Sequence, residues 1–237
     1  MPVSQHKILI IIPTYNEVDC ISNLIMEIFS LYPQIHILIV DDNSHDGTKD
    51  ALMVLESKFS NLKIMNRTRR LGLGSAYREG FFHAFSNKFS FVIQMDGDRS
   101  HRVEDLKKLV EAEEGYDLVV GSRYVKDGKI IGWKLSRKLI SKIGNYFSRK
   151  LLQLNTLDST SGFKRLSINI FGSKNILNSS TNGYSFQVEI IHYCEKNKMS
   201  ILEIPICFID RRFGSSKFNS FIILEALFNI LKWSIKK

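Results

Sequence analysis

The chain of 237 residues can hold one large α/β domain or two small domains with an adequate core. Hydrophobic residues make up 44% of it and charged residues 24%, which is typical of a water-soluble globular protein. The formal net charge of +9 predicts a polyanionic partner: a nucleic acid, an anionic membrane surface or a phosphorylated substrate. No apolar stretch reaches the roughly 18 residues of a spanning helix, so we expect a protein that does not cross a membrane but can lie on one.

The cysteines and the first residues indicate the compartment. Cys20, Cys194 and Cys207 lie far apart and lack metal-ligand spacing, which favours reduced thiols in a cytosolic protein. The apolar run at 8–12 is too short for a signal peptide and ends at Pro13. We therefore expect the protein in the cytoplasm.

Short apolar runs and amphipathic segments alternate along the first half of the chain. The apolar runs predict strands at 7–12, 36–40, 62–65, 91–95 and 117–121. Apolar residues at three- and four-residue spacing predict helices at about 17–31, 47–58, 75–86 and 103–112. This alternation predicts βαβ units and a parallel sheet, in which ligands bind beyond the carboxyl ends of the strands.

From residue 129 the sequence becomes strongly basic. The segment 129–155 contains seven Lys or Arg residues and no acid. It predicts an amphipathic helix at 133–153 with one polar stripe, made of Lys134, Lys138, Lys142, Asn145 and Arg149. Apolar residues fill most of the rest, and we expect the aromatic ones, Trp133, Tyr146 and Phe147, at a membrane interface.

The last part of the chain predicts a helix at about 185–196, a strand at 201–210 and an amphipathic helix at 218–237. The terminal helix has a narrow polar stripe of Glu225, Asn229, Lys232 and Lys236. Packing of its apolar face on the sheet and docking of that face on a membrane remain alternatives.

Acidic residues gather where three predicted strands end. Glu17 follows the first strand, Asp41 and Asp42 follow the second, and Asp96 and Asp98 follow the fourth. Two carboxylates at i and i+2 point to the same side of a strand, an arrangement that Mg²⁺ and Mn²⁺ favour. The residues alone leave a solvated turn open, because Asp-Gly is also common in turns.

Two further stretches have alternative interpretations. The loop with Asp41 and Asp42 can cap a helix, or it can form a nucleoside pocket in which Asp42 accepts from ribose or base. The "LGLG" at 71–74 can be a close-approach loop under a ligand or a packing element. A dinucleotide-binding dehydrogenase is excluded, because "PTYNE" rather than a glycine-rich turn follows the first strand.

A series of motifs runs through the chain in order: "IPTYNE", "VDDNSHDGT", "LGLGSAYREGF", "MDGDRSH", "GSRY", "RKLIS", "DSTSGFKR", "GYSFQVE" and "IDRRFGSSK". They resemble the inverting family 2 glycosyltransferases of GT-A fold, and within these the dolichol-phosphate mannosyltransferase (polyprenol monophosphomannose synthase) branch. The resemblance covers residues 7 to about 217. It implies an α/β fold with a Rossmann-like, mostly parallel central sheet flanked by helices.

The resemblance also implies a domain organisation. Residues 1–217 would form a single GT-A domain, with a nucleotide-binding half at 1–121 and an acceptor-binding half at 122–217. Residues 218–237, beyond the resemblance, are the C-terminal amphipathic helix that the residue pattern predicts.

Roles of individual residues follow from the same resemblance. The nucleotide sugar would be bound by Pro13, Tyr15, Glu17, Val40, Asp42, Asp96, Gly97, Gln187, Arg211 and Lys217. The metal, Mg²⁺ or Mn²⁺, would be held by Asp96 and Asp98, with Gly97 against the diphosphate. The acceptor phosphate would be bound by Arg123, Arg137 and Ser141. The catalytic residues would be Asp98, Arg123, Asp158 and Arg211.

Two positions depart from the family pattern. The family often has Ala-Asp-Leu where this chain has Gly97, Asp98 and Arg99. Some relatives have a third metal ligand, a glutamine, where this chain has Ser100, so Ser100 is not assigned as a ligand.

The chemistry of sugar transfer is consistent with these roles. The metal, Arg211 and Lys217 would neutralise the leaving diphosphate. A hydroxyl acceptor would need a general base, whereas a phosphate monoester with a second pKa of about 6 is already nucleophilic at neutral pH and needs arginines instead. Asp158 can orient the acceptor side, act as a base in relatives with hydroxyl acceptors, or cap its own turn.

We therefore expect an enzyme that transfers a hexosyl group, mannose from GDP-mannose first of all, to polyprenyl or dolichyl phosphate with inversion. We expect a peripheral protein on the cytoplasmic face of an anionic membrane, where each Lys or Arg gains about 1 kcal/mol. Another sugar such as UDP-glucose, a hydroxyl acceptor in polysaccharide or cell-envelope synthesis, and a separate membrane-anchoring subunit stay open. A nucleic-acid-binding module is the remote alternative, because acids at strand ends would repel nucleic-acid phosphates.

Overall fold

The computed structural model describes residues 7–171, 179, 181–183, 185–211 and 220–235, with side chains from 225 onward in the last segment. Strands and helices alternate in its first half. The strands are β1 (Ile8–Thr14), β2 (His36–Asp41), β3 (Leu62–Asn66), β4 (Phe91–Gln94) and β5 (Leu118–Ser122). The helices are α1 (Val18–Leu31), α2 (Thr48–Lys58), α3 (Leu73–Ser86) and α4 (Val103–Val110). All nine elements were predicted, with ends within two residues of those observed.

The second half contains the elements β6 (Lys129–Ile131), α5 (Leu135–Leu152), β7 (Lys164–Ser167), a 3₁₀ turn (Ile168–Phe171), α6 (Ser185–Lys196), β8 (Ile201–Pro205), β9 (Cys207–Ile209) and α7 (Ser220–Ile235). The three helices confirm the predicted ones. The single strand predicted at 201–210 is wrong, because the chain divides at Ile206. The N–H of Ile206 donates to Ser122 O of β5, and its carbonyl accepts from Lys129 N of β6, so β8 and β9 belong to different sheets.

Seven strands form the large sheet in the order β3-β2-β1-β4-β7-β5-β8, and β6 pairs with β9 in a small parallel sheet. In the large sheet only β7 is antiparallel to its neighbours, β4 and β5. The expected mostly parallel sheet is therefore confirmed. The strand β7, which the sequence did not predict, lies between β4 and β5 and so joins them into one sheet.

Alternate residues of the central strands enter two apolar cores. Ile10 and Ile12 of β1 face the core that α1, α2 and α4 cover, whereas Leu9 and Ile11 face the core beneath α3 and α6. A strand buried on both faces has a nearly continuous apolar sequence, which is why β1 could be predicted. The two cores hold the sheet in place, and the loops that follow the strands form the carboxyl edge of the sheet.

The helix α5 turns its apolar side outward. Asn145, Ser148 and Leu152 are buried against the protein, whereas the exposed side chains include Leu135, Leu139, Ile140, Ile143, Tyr146 and Phe147. The prediction for Trp133 is wrong, since this residue is only 9% exposed and its ring packs edge-on against Phe208.

The helix α7 shows the same inversion. Asn229 donates to Ser185 Oγ (3.0 Å), and the carboxylate of Glu225 packs on the backbone of Gly183. Two residues of the predicted polar stripe therefore face the protein, while the outward side is apolar, with Leu227, Phe228, Leu231 and Ile235 exposed. None of the described helices combines the length and the apolar character that crossing a bilayer requires.

Two helical glycines provide a test of the packing. A Cβ at Gly80 in α3 would lie 2.7 Å from Ile11 Cγ2, whereas a Cβ at Gly144 in α5 would meet nothing within 4 Å. We expect Gly80→Ala to destabilise the fold by about 1–3 kcal/mol through overpacking, despite the better helix propensity of alanine. Gly144→Ala should stabilise it by about 0.5–1 kcal/mol. Urea midpoints at constant m-value measure both, and equal stability of the two variants would contradict this packing.

Candidate functional site

The carboxyl ends of β1, β2, β4 and β5 lie at one edge of the large sheet, and the loops after them form the candidate site. Because β7 is antiparallel to β4 and β5, it begins at this same edge, where Lys164 lies opposite Gln94. The loop 155–163 before β7 therefore forms another wall. The predicted nucleotide residues and acceptor residues thus meet at one edge.

The loops after β1 and β2 are hydrogen-bonded to each other. The N–H of Asn16 donates to Ser44 Oγ (2.9 Å), and the N–H of His45 donates to Asn16 Oδ1 (3.0 Å). Asp41 is fully buried, and its carboxylate accepts from the N–H and the hydroxyl of Ser44 at 2.9 and 2.5 Å. Asp41 therefore fixes the turn at Ser44 rather than capping α2, whose N-cap residue is Gly47, and Asp42 remains as the candidate ligand group of this pair.

Asp42 is held by a residue that the sequence analysis missed. Arg67, which follows β3 and is 6% exposed, donates from Nη1 to Asp42 Oδ1 (2.6 Å). It also binds the Glu79 carboxylate (2.7 and 3.2 Å) and Ser75 Oγ (2.5 Å). Burial alone would lower the pKa of Arg67, but Glu79 and Asp42 outweigh it and raise this pKa.

Backbone groups complete the environment of Asp42. The N–H of Leu71 donates to Asp42 Oδ1 (3.3 Å) and the N–H of Gly72 to Oδ2 (3.0 Å), which fixes the plane of the carboxylate. Gly72 has φ +93°, and a Cβ there would lie 2.7 Å from Asn182 O. The "LGLG" stretch therefore packs against the backbone at 181–182, which is the second of its two interpretations.

The other nucleotide residues lie around the ends of β1 and β2. Pro13 and Val40 are register partners in the sheet. Tyr15 is half-buried, with the guanidinium of Arg70 4.4 Å from its ring centroid. Glu17 is half-buried at the start of α1. The structure thus brings these predicted residues to one region.

Asp96 is half-buried between a histidine and a glycine. Its N–H donates to His101 Nδ1 (3.1 Å), and His101 Nε2 lies 3.8 Å from Asp96 Oδ2. On the other side, a Cβ at Gly162 would be 3.4 Å from both carboxylate oxygens. Burial raises the pKa of Asp96, with Asp98 adding to the increase and His101 opposing it.

Asp98 is held by two contacts. Its Oδ1 accepts from the N–H of Ser100 (2.9 Å), and its Oδ2 pairs with Arg211 Nη2 (2.9 Å). The predicted catalytic residues Asp98 and Arg211 are therefore in direct contact. Lys217, predicted to act beside Arg211, lies outside the described residues.

Gly97 was predicted to lie against the diphosphate, but the structure shows no specific requirement for glycine at this position. A Cβ at Gly97 would point to the core, at the ordinary distances of 3.4 Å from Ile12 Cγ2 and 3.5 Å from Ile21 Cδ1. An alanine would therefore fit at this position.

Asp96 and Asp98 are the metal-ligating candidates at this edge. No group of three or more His, Cys, Asp or Glu side chains suited to a metal occurs in the described part of the chain. Two carboxylates nevertheless fit Mg²⁺ or Mn²⁺, which commonly take one or two and complete their shell with water and phosphate oxygens.

Arg123, one of the residues predicted to bind the acceptor phosphate, forms a buried ion pair with Asp158. Arg123 Nε and Nη2 donate to the two oxygens of Asp158 (2.8 and 2.7 Å), and the Arg123 N–H donates to Asp158 Oδ2 (2.9 Å). Asp158 is 0% exposed. Burial would raise the pKa of Asp158, but the charge and hydrogen bonds of Arg123 outweigh it and hold this pKa below its ordinary value.

Arg137 reaches the same place from α5. Its guanidinium lies 4.3 Å from the Trp133 ring centroid, and that of Arg123 lies 5.5 Å from the same ring. Arg137 Nη1 also pairs with Asp210 Oδ1 (2.7 Å), next to Arg211 in the chain. Trp133 therefore brings the two predicted phosphate-binding arginines together, a role that the sequence analysis missed.

Ser141 is joined to this cluster through other side chains. Its hydroxyl accepts from Tyr124 OH (2.8 Å). One turn later, Asn145 Nδ2 donates to Thr160 Oγ1 (3.0 Å), which also accepts from Arg123 Nη2 (2.8 Å). A polar network thus connects α5 to the buried ion pair.

Two glutamates hold the loop that carries Asp158. Glu195 accepts from the N–H groups of Asn155 (2.8 Å) and Thr156 (2.9 Å). Glu203 accepts from the N–H groups of 157 and 158, at 2.7 and 3.0 Å. The loop is therefore a rigid wall of the site.

Gln187, which was predicted to bind the nucleotide sugar, is 2% exposed and lies beneath the edge. Its Oε1 accepts from Nζ of Lys164 (2.7 Å), a fully buried residue that also donates to Ser161 O. Burial lowers the pKa of Lys164 to about 7, although Asp158 acts in the opposite direction. The two residues hold the start of β7 against α6.

A cleft of about 500 Å³ opens beside Asp98, between α1, α4 and the end of β9. Asp98 and Asp210 line it, together with Asp19, Asn23 and Glu27 of α1. The candidate metal pair therefore borders an open volume through Asp98.

Comparison with known proteins gives two relatives of similar length. An undecaprenyl-phosphate mannosyltransferase of Micrococcus luteus is 34% identical over 229 residues, which cover 97% of this chain and 94% of that protein. A polyprenol monophosphomannose synthase of Mycolicibacterium smegmatis is 36% identical over 234 residues, which cover 97% and 88%.

Among solved structures, glucosyl-3-phosphoglycerate synthase of Mycobacterium tuberculosis in complex with UDP is similar, with a TM-score of 0.73 at 17% identity, over 97% of this chain and 80% of that one. A structure of the same enzyme with Mn²⁺ and UDP-glucose has a TM-score of 0.69 at 15% identity, over 96% and 80%. This likeness shows a shared fold, the expected GT-A fold.

The family model of glycosyl transferase family 2 matches residues 9–172. These residues include the Asp96 loop, the buried ion pair and every strand of the large sheet except β8. The chain belongs to glycosyl transferase family 2 and is a glycosyltransferase.

Proposed function

We propose that this enzyme transfers a mannosyl group from a nucleoside diphosphate mannose, GDP-mannose first of all, to a polyprenyl phosphate with inversion. The observation that carries the proposal is the similarity to two enzymes named for mannosyl transfer to polyprenyl phosphates, at 34% and 36% identity over 97% of the chain. The site contributes a metal-ligating carboxylate pair and two arginines beside one tryptophan.

On the donor side, Asp42 accepts hydrogen bonds from the ribose or the base. Arg67 and two backbone N–H groups hold both oxygens of its carboxylate, so the group is preorganised at the end of β2. Pro13, Tyr15, Glu17 and Val40 lie around it. Because the Asp42 carboxylate is already fixed, little side-chain entropy is lost when a nucleoside binds to it.

Asp96 and Asp98 hold a divalent cation, Mg²⁺ or Mn²⁺, against the diphosphate. The Mn²⁺ in the complexes of the structurally similar glucosyl-3-phosphoglycerate synthase supports a divalent metal. Such a cation supplies charge neutralisation of the departing diphosphate. Arg211, already paired with Asp98, adds a second positive charge at the same place, and Lys217 is assigned to the same task.

On the acceptor side, Arg137 binds the phosphate, with Ser141 and Arg123 behind it. The phosphate oxygen attacks the anomeric carbon, the new carbon–oxygen bond forms as the bond to the diphosphate breaks, and the configuration inverts. A phosphate dianion needs no proton removed, since its second pKa is about 6. The positive charge of the arginines offsets the repulsion between the two anions.

The burial of Asp158 argues against a hydroxyl acceptor. Such an acceptor needs a base within reach of its proton. Asp158 accepts three hydrogen bonds from Arg123, has a pKa below its ordinary value and is 0% exposed. It therefore serves as a positioning residue. The division into a donor half at 1–121 and an acceptor half at 122–217 follows the same assignment.

The outward apolar sides of α5 and α7 form the docking surface for the membrane. Exposed side chains such as Ile143 and Phe147 of α5 and Phe228 of α7 can enter the headgroup region, while the lysines of α5 meet anionic lipid. The isoprenoid chain of the acceptor then stays in the bilayer as its phosphate reaches Arg137. We place the enzyme as a peripheral protein on the cytoplasmic face, with or without an anchoring subunit.

The first test combines nucleotide sugars with acceptors. We expect the protein, with Mg²⁺ or Mn²⁺, to convert a short polyprenyl phosphate and GDP-mannose to a mannosyl phosphodiester, identified by mass spectrometry. Asp98→Asn should lower turnover at least 100-fold, as a lost catalytic electrostatic contact does. Product from UDP-glucose but none from GDP-mannose would contradict the donor assignment. Full activity of Asp98→Asn in excess chelator would contradict the metal assignment.

The second prediction concerns Arg137. Arg137→Gln should raise KM for a short polyprenyl phosphate about 10- to 100-fold, the effect of one lost charged hydrogen bond, and leave KM for the nucleotide sugar unchanged. Lys134→Gln removes one charge from the same helix and is the control. A rise in the donor KM would place Arg137 at the diphosphate instead. Arg123 is less suitable, because its removal leaves Asp158 buried without its ion-pair partner.

The third prediction concerns the docking surface. Ile143→Ser with Phe147→Ser should weaken binding to vesicles at least about tenfold, because each large apolar side chain contributes about 1.5–3 kcal/mol when buried. Turnover of a short water-soluble acceptor should be unaffected. Met53→Ser with Val54→Ser on α2 is the control, since these apolar residues are also exposed, at 56% and 54%. Equal losses in both variants would rule out a specific surface.

A further inference from the structure

A second pocket, of about 210 Å³, lies between α5 and the loop before Asp158. Its lining consists of Tyr124, Lys142, Asn145, Tyr146, Arg149 and Leu157. The four residues from α5 follow the spacing i, i+3, i+4 and i+7, so they form one face of the helix. The pocket is therefore built by regular structure on one side and by the rigid loop on the other.

This pocket is positively charged. Lys142 and Arg149 line it, and neither forms an ion pair with an acid in the described part of the chain. The segment 129–155 contains no acid, and Asp158 beyond it is buried against Arg123. Arg149 Nε is buried, and none of the described residues is its hydrogen-bond partner. Two cations and one unused buried donor favour an anion with several oxygens.

The surroundings of the pocket are apolar. Tyr146, which lines it, is 59% exposed, and Ile143 and Phe147 on the adjoining face of α5 are each 45% exposed. Leu157 forms the opposite wall. A basic pocket beside exposed apolar side chains matches an amphiphile with a phosphate head and hydrocarbon chains.

The pocket is separate from the proposed acceptor site. Arg123 and Arg137 lie on Trp133, and none of these three residues lines the pocket. The hydrogen bond from Tyr124 OH to Ser141 Oγ lies between the two places. The pocket therefore offers two basic side chains, Lys142 and Arg149, that the acceptor assignment does not use.

We propose that this pocket binds the phosphodiester of an anionic membrane phospholipid. The guanidinium of Arg149 and the ammonium of Lys142 contact the phosphate oxygens, and the acyl chains lie along Ile143 and Phe147. The inference rests on the proposed membrane association and adds a specific lipid site to it. A lipid bound here holds α5 against the bilayer in one orientation, with the acceptor site facing the isoprenoid phosphate.

The test measures binding of the full chain to phosphatidylcholine vesicles with and without phosphatidylglycerol. Lys142→Gln with Arg149→Gln should lower the affinity for the anionic vesicles at least tenfold. Lys58→Gln with Lys63→Gln removes the same charge far from α5 and should change it less than about twofold. Arg149→Lys keeps the charge but loses the bidentate geometry, and it should still lower the affinity several-fold. Thermal unfolding checks that every variant is folded.

Three results would overturn the proposal. If Arg149→Lys bound the anionic vesicles as tightly as the wild type, the attraction would be a diffuse electrostatic one without a specific lipid site. Equal losses in the Lys58/Lys63 control would show that only net charge matters. A raised KM for a short water-soluble polyprenyl phosphate in the Lys142/Arg149 variant would assign the pocket to the acceptor. Absence of any mannosyl transfer by the wild type would instead refute the proposed function, and the vesicle result would stand by itself.

Discussion

The ion pair of Arg123 and Asp158 is the contact on which the proposed acceptor side depends. Arg123 follows β5 and Asp158 lies in the loop before β7, so the pair joins two segments that are 35 residues apart in the chain. Both charges are buried, and removing one partner of such a pair costs about 3–5 kcal/mol because the other charge is left uncompensated. The glutamates Glu195 and Glu203 then hold the backbone of the same loop.

From this pair the polar network extends in two directions. Through Thr160 and Asn145 it binds the inner face of α5, which is why that helix has polar residues inside and apolar residues outside. Through the same loop it places Gly162 against the Asp96 carboxylate. One buried interaction therefore links the candidate metal pair, the acceptor arginines and the apolar surface proposed for the membrane, so that chemistry and location share one structural basis.

The sequence was sufficient for features that depend on local pattern. Continuous apolar runs located β1 to β5, and the i, i+2 carboxylates located Asp96 and Asp98. It was insufficient where tertiary contacts decide. The strand β7 contains Lys164 and Arg165, both buried, and two adjacent cations contradict a strand pattern until their partners are known. Trp133 resembled an interfacial aromatic residue, yet it packs between arginines, and Arg67 stood in a basic run with nothing to link it to Asp42.

We infer that the buried ion pair organises the proposed acceptor side, and a double-mutant cycle on Arg123 and Asp158 measures this dependence. The free energy of unfolding would be measured for Arg123→Met, Asp158→Asn and the double variant. We predict that the double variant loses less stability than the sum of the two single losses, with a coupling of about 1.5–3 kcal/mol, as for residues in one network. Losses that add to within about 0.5 kcal/mol would show independent residues and contradict the account.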